Sequence, residues 1–203
     1  MRIGLGSMLV GALWLAKAGY GRPGFDHPAP DAVQPIQTII TADFSKVHYQ
    51  KLLRFNIYSF HVTATDSGAV RNLRFKAYRG ALLLTNFQTR VDGAVVGAEV
   101  ADLDGNRYPE LYVYSSSEGS GSFGRVYGWQ FLAERKADIS AVNWQSMGEG
   151  YMGHDSLWVE RTVLCRKFPV YRPGDVNARP TGGQRMVRYR LRTFKQGFVL
   201  MAD

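Results

Sequence analysis

Residues 111–131 read LYVYSSSEGSGSFGRVYGWQF. Two runs rich in aromatic and β-branched residues, 111–114 and 126–131, flank a segment of glycine, serine and one phenylalanine. Val, Tyr, Trp and Phe suit a pleated, half-buried surface, whereas Gly and Ser interrupt one. The stretch therefore predicts two antiparallel strands joined by a projecting loop. Gly119-Ser120-Gly121-Ser122-Phe123-Gly124 also fits G-x-G-x-x-G, which in dinucleotide folds brings a pyrophosphate to a helix that follows at once. Here Arg125, Val126, Tyr127, Gly128 and Trp129 follow, which is strand material, and no HRD or DFG signature comes later. The match is one of composition.

Working outward, β signals continue on both sides. Residues 55–63, 73–78, 82–91 and 94–103 read as strands, and Asp92-Gly93 between the last two is the strongest short hairpin signal in the chain. Beyond the glycine-rich loop, 157–165, 186–193 and 197–201 read as strands, with a Pro/Gly/Asn loop over 171–183. A short β-branched run spans 38–44. Helical signals are confined to 45–53, one or two turns, and to 133–140, a short helix or a polar connection. Many short strands separated by turn residues predict an all-β fold over alternating βαβ units. An antiparallel β-sandwich of about eight strands is expected.

The chain has 203 residues, 45% apolar and 21% charged, a globular composition with room for one core. Its formal charge of +8 favours acidic partners by long-range attraction. Residues 1–18 have the anatomy of a secretory signal peptide: Arg2, an apolar run over 3–15, then Ala16-Lys17-Ala18. That run is shorter than the ~20 residues a bilayer span needs, so no stable membrane anchor is expected. Residues 19–36 hold Pro23, Pro28, Pro30 and Pro35 and read as an extended lead-in to a domain over 37–203. Cys165 is the only cysteine, so no intramolecular disulfide forms. A small buried residue is its expected role, with a catalytic thiol as the alternative. Export without disulfides points to a bacterial periplasm and away from nucleic acid. The sequence leaves a homodimer open.

Four further constellations bear on chemistry. Ser120 and Ser122 both miss the G-x-S-x-G elbow. Gly153-His154-Asp155-Ser156 resembles a triad in a row, but a triad is assembled from separated positions, so a turn is the expected role. Asp102, Asp104 and Asn106 occupy the first, third and fifth positions of an EF-hand-like loop, with Glu110 at the ninth. Arg107 and Val113 stand where the sharp-turn Gly and the bidentate Glu belong, so a polar turn is favoured over a weak Ca²⁺ site. The four histidines show no zinc spacing. In residues 187–192 arginine alternates with apolar residues, placing Arg188, Arg190 and Arg192 on one face and Val187, Tyr189 and Leu191 towards the core. That face is either a solvated exterior or a docking surface for an acidic partner.

Four blocks, at 102–114, 120–124, 153–155 and 168–183, resemble in order and spacing the periplasmic inhibitors of invertebrate-type (i-type) lysozyme; the similarity covers roughly 82–201. The resemblance implies a secreted β-sandwich with no catalysis and no cofactor, whose partner is a host lysozyme. In that family a Ser-Gly-x-Tyr loop enters the enzyme's cleft. Here it falls on Ser120-Gly121-Ser122-Phe123, with Phe123 replacing the Tyr and losing its hydroxyl. Arg125 and the 188–192 arginines are candidate donors to the enzyme's carboxylates. The alternative is an envelope module that binds Ca²⁺ through Asp102, Asp104, Asn106 and Glu110, or carbohydrate through exposed aromatics such as Trp129.

Overall fold

The computed structural model describes residues 47–203 apart from 66–69, 134, 146 and 196. The export segment, the lead-in and the run at 38–44 lie outside the described residues. Twelve strands follow one another: β1 Val47–Phe55, β2 Tyr58–Thr65, β3 Val70–Arg79, β4 Leu82–Asp92, β5 Ala94–Ala101, β6 Glu110–Ser116, β7 Gly124–Phe131, β8 Lys136–Ala141, β9 Ser156–Glu160, β10 Val163–Pro169, β11 Gln184–Phe194 and β12 Gly197–Ala202. No helix occurs among the described residues. The described residues are all-β in two sheets, as the strand spacing predicts, but with twelve strands where about eight are expected.

The differences have physical reasons. Residues 47–53, inside one predicted helical segment, belong to β1, where Leu53 pairs with Phe60 of β2. Tertiary pairing overrides a weak local propensity there. The other predicted helix contains β8, in which buried Ala137 and Ile139 alternate with exposed Asp138 and Ser140. The predicted strand at 157–165 is two strands, turned at Arg161, whose φ is +53°.

Asp92-Gly93 is not a hairpin. β4 pairs with β3 and β5 pairs with β6, so the chain changes sheets at this dipeptide. Gly93 has φ +77°, and a Cβ there would lie 2.2 Å from the Ser116 carbonyl oxygen. The glycine lets the chain pass under the end of β6.

β1 to β4 form a four-stranded antiparallel meander. The second sheet has the order β5-β6-β7-β8-β12-β11-β10-β9, antiparallel except for β8 beside β12. Its first and last strands meet through Glu99 of β5, whose carboxylate accepts from the Tyr114 hydroxyl and from the Val159 N–H of β9, both at 2.7 Å. That contact covers part of two edges that would otherwise offer free backbone groups.

β6 is the shared wall. Its period of two sends Leu111 and Val113 towards the four-stranded sheet and Tyr112 and Tyr114 into the interior of the eight-stranded one. Burial on both faces explains its unbroken apolar run. On the first side Phe60, Phe75, Phe87, Trp129 and Phe131 form a ring cluster with centroids 4.8–5.9 Å apart. Trp129 is 5% exposed within it, so it is a core residue and not the exposed carbohydrate platform that its sequence context suggests.

Candidate functional site: a braced loop between β6 and β7

Ser116 pairs with Gly124, so the projecting loop comprises 117–123. Its neck is closed twice. The Ser117 N–H donates to the Phe123 carbonyl at 3.0 Å, and the Phe123 N–H donates to Ser117 Oγ at 2.9 Å. Ser120, Gly121, Ser122 and Phe123 stand together on this loop, and Arg125 follows in β7. Phe123 is 43% exposed, its ring edge-on to Tyr151 at 5.7 Å. The Ser120 and Ser122 hydroxyls have no hydrogen-bond partner among the described residues. β7 follows the loop directly, so no helix N-terminus meets the glycines.

The loop rests on segments far away in sequence. The His154 N–H donates to the Gly121 carbonyl at 2.5 Å. Asn177 Nδ2 donates to the Ser120 carbonyl at 2.6 Å, and its Oδ1 lies 3.0 Å from His154 Nε2. The Gly124 N–H donates to Asp155 Oδ2 at 2.7 Å, and Trp144 Nε1 donates to the Gly124 carbonyl at 2.8 Å. Glu118 pairs with Arg71 of β3 at 2.5 Å. Gly153 has φ +90°, and a Cβ there would sit 1.9 Å from the Gly121 oxygen. The chain can approach the loop this closely only at a glycine.

Beneath lies a buried ion pair. Arg166 Nε donates to Asp155 Oδ1 at 2.7 Å and its NH2 to Oδ2 at 3.1 Å, the side chains being 1% and 0% exposed. Arg166 also donates to the Trp144 carbonyl and the Tyr151 hydroxyl, each at 2.5 Å, with its guanidinium over the Trp144 ring at 4.5 Å. Burial works against the Arg166 charge, but the Asp155 hydrogen bonds and charge outweigh it and raise the pKa. Desolvation, then the hydrogen bond to Asp155, pushes the Tyr151 phenol well up, so it stays neutral. Bidentate geometry and filled donor sites are what make a buried pair tolerable.

This network assigns the sequence motifs. His154 faces Asn177 and Asp155 faces Arg166, while Ser156 opens β9, so the triad-like row assembles no triad; it is an irregular segment, left-handed at Gly153 and His154, that seats the loop. Three of the four blocks that carry the family resemblance, at 120–124, 153–155 and 168–183, meet around the loop. The block at 102–114 does not. Arg166, Tyr151, Trp144 and Asn177 were not legible as site residues, because an arginine in a strand gives no sign of facing inward.

Phe123, Arg125, Gln145, Tyr151 and Arg166 line a depression of about 270 Å³ beside the loop. Arg125 reaches Asp92 at 3.6 Å, both groups substantially exposed, a weak pair that leaves its charge available. Arg188, Arg190 and Arg192 are exposed while Tyr189 and Leu191 are buried, as the alternation predicts. Arg188 pairs across from Cys165, whereas Arg166 pairs across from Val187. The stripe therefore occupies the sheet face opposite the guanidinium under the loop, and Arg190 is held by Asp203 at 2.8 Å. Cys165 is a buried free thiol, and desolvation with nearby Glu160 raises its pKa, so it is not a thiolate at neutral pH.

At the other end of β6, one carboxylate oxygen from each of Asp102, Asp104 and Glu110 lies within 4.8 Å of the others. Asp102 accepts from the N–H groups of Asn106 and Arg107 at 3.0 and 2.9 Å, and Glu110 accepts from the Leu103 N–H at 2.7 Å. Asn106 donates through Nδ2 to Asp104 at 2.9 Å. Burial pushes the Glu110 carboxyl up to about 8; the Leu103 N–H opposes the rise, and Asp104 and Asp102 add to it.

No family model matches the chain, and no curated protein matches it in sequence.

Proposed function

We propose that the protein is an exported, periplasmic, non-catalytic inhibitor of lysozyme, with the invertebrate-type enzyme as its first target. The Ser120-Gly121-Ser122-Phe123 tip fills the enzyme's cleft. The observation that carries this reading is the exposed Phe123 ring on a loop whose backbone is held by the buried Arg166–Asp155 network. Ordering a loop on binding costs affinity, and bracing it beforehand removes that cost. A lysozyme cleft presents paired carboxylates, which call for donors around an anchoring side chain. Free hydroxyls on Ser120 and Ser122 and the rim guanidinium of Arg125 supply them.

The test is peptidoglycan lysis by purified invertebrate-type, chicken-type and goose-type lysozymes in the presence of the protein. Inhibition of the invertebrate-type enzyme in the nanomolar range is expected, weakened by Ser120→Ala. No inhibition of any invertebrate-type enzyme at micromolar protein overturns the proposal.

A further inference from the structure

We infer that the 102–110 loop, with Gln130 facing it from β7, is a Ca²⁺ site that ties the start of β6 to the end of β5. Oxygens sharing one Ca²⁺ at about 2.4 Å lie within roughly 5 Å of one another. The three carboxylates already converge within 4.8 Å. Among the described residues none of the three forms an ion pair.

The second observation is unmet hydrogen bonding at two buried side chains, one of which, Gln130, lies outside the acidic cluster. Glu110 is 0% exposed and its Oε1 has no hydrogen-bond partner. Gln130, its cross-strand neighbour in β7, is also 0% exposed, and its Oε1 is unpartnered while Nε2 donates to Asp104 Oδ2 at 3.3 Å. Turning that amide over presents its oxygen to the carboxylates, and the two amide orientations are near-equivalent in shape. Two buried acceptors without donors beside a carboxylate cluster are what a cation satisfies.

The loop's departures from the EF-hand do not oppose this. An EF-hand uses Gly at the sixth position for a left-handed turn, and Arg107 adopts that conformation here with φ +70°. The bidentate Glu at the twelfth position has a substitute, because β6 begins at Glu110 and brings its carboxylate back over the loop. All donors are oxygen, which disfavours zinc, and a cage of protein oxygens suits Ca²⁺ over Mg²⁺, which retains several waters. The backbone hydrogen bonds to Asp102 and Asp104 orient these carboxylates and leave lone pairs free. Since β6 separates this cluster from the Phe123 loop by about 20 Å, the site does not depend on the lysozyme reading.

The experiment strips the full chain with EDTA and titrates it calorimetrically with CaCl₂ and then with MgCl₂, following Tm in parallel. One Ca²⁺ per chain is expected, with Tm raised by about 5 °C at saturation and restored by EDTA. Mg²⁺ binds at least tenfold more weakly, and Glu110→Gln and Asp102→Asn each weaken Ca²⁺ at least tenfold. Asp102→Asn retains an amide acceptor for the loop N–H groups and serves where Glu110→Gln does not fold. A silent titration to millimolar Ca²⁺ with unchanged Tm overturns the inference. So does an undiminished response in Asp102→Asn/Asp104→Asn, which places the ion elsewhere, or tighter binding of Mg²⁺.

Discussion

The two ends of the β6–β7 ribbon solve the same problem differently. At the 117–123 end the loop's carbonyls and N–H groups are met by side chains and backbone from 144–177, and the one buried carboxylate beneath them, Asp155, has a buried guanidinium opposite it. At the 102–110 end, three carboxylates converge and none of them forms an ion pair among the described residues. One end is complete as protein. The other gathers negative charge that no described residue pairs. The comparison teaches that a glycine-rich tip can be held in place by segments far from it in sequence.

The largest expected effect breaks the complete end. Asp155→Asn leaves Arg166 buried without its counter-charge and should lower stability by about 3–5 kcal/mol, read as a reduced denaturation midpoint in urea. Asp102→Asn in metal-free protein should change stability by less than about 1 kcal/mol, because it relieves like-charge crowding while weakening hydrogen bonds to two N–H groups. Equal losses from the two substitutions would erase the distinction between the ends.

Next come two substitutions at the tip with opposite signatures. Phe123→Ala removes a half-exposed ring and its edge contact with Tyr151, and should cost less than about 1.5 kcal/mol of stability while weakening lysozyme inhibition by about 2–4 kcal/mol. Gly153→Ala places a Cβ against the Gly121 oxygen at a left-handed φ, and should cost about 1–3 kcal/mol of stability together with inhibition. A Phe123→Ala protein that inhibits normally removes the tip from the interface. A Gly153→Ala protein of unchanged stability shows that the loop yields where the contacts say it is held.

Much of the scaffold was legible. The aromatic runs around residues 115–125 predict the β6–β7 hairpin, and the Arg/apolar alternation predicts which face of β11 is buried. The Asp92-Gly93 reading failed because a left-handed glycine serves a sheet change as well as a two-residue turn, and pairing partners are not local information. Trp129 misled for a related reason: an aromatic beside a glycine-rich loop looks exposed until the other sheet is known to cover it. The brace was the least legible part. Arg166, Asn177 and Tyr151 become site residues through contacts spanning 4 to 57 positions. Glu110 was visible as a carboxylate in a turn, but its burial depends on β6 being covered on both faces.

The smallest predicted effect concerns the outer support of the tip. Asp175 accepts from the N–H groups of Arg172 and Thr181 at 2.7 and 2.8 Å and from the Thr181 hydroxyl, folding the 171–183 loop that carries Asn177 to Ser120. Those backbone hydrogen bonds hold its pKa below the ordinary carboxylate value. A depressed folded-state pKa contributes order above the unfolded value, and this order is lost as pH falls through the folded one. Acidification below the usual carboxylate range should therefore speed amide exchange at Arg172 and Thr181, after correction for intrinsic rates, with no transition in the core strands. Asp175→Asn should show the same acceleration at neutral pH and flatten the acid dependence, because its amide accepts fewer bonds and does not titrate. Since Asn177 rides on this loop, inhibition should weaken several-fold in Asp175→Asn without the large stability loss of Asp155→Asn. Exchange at Thr181 that ignores both pH and the substitution would show that Asp175 does not hold the loop that carries Asn177 to Ser120.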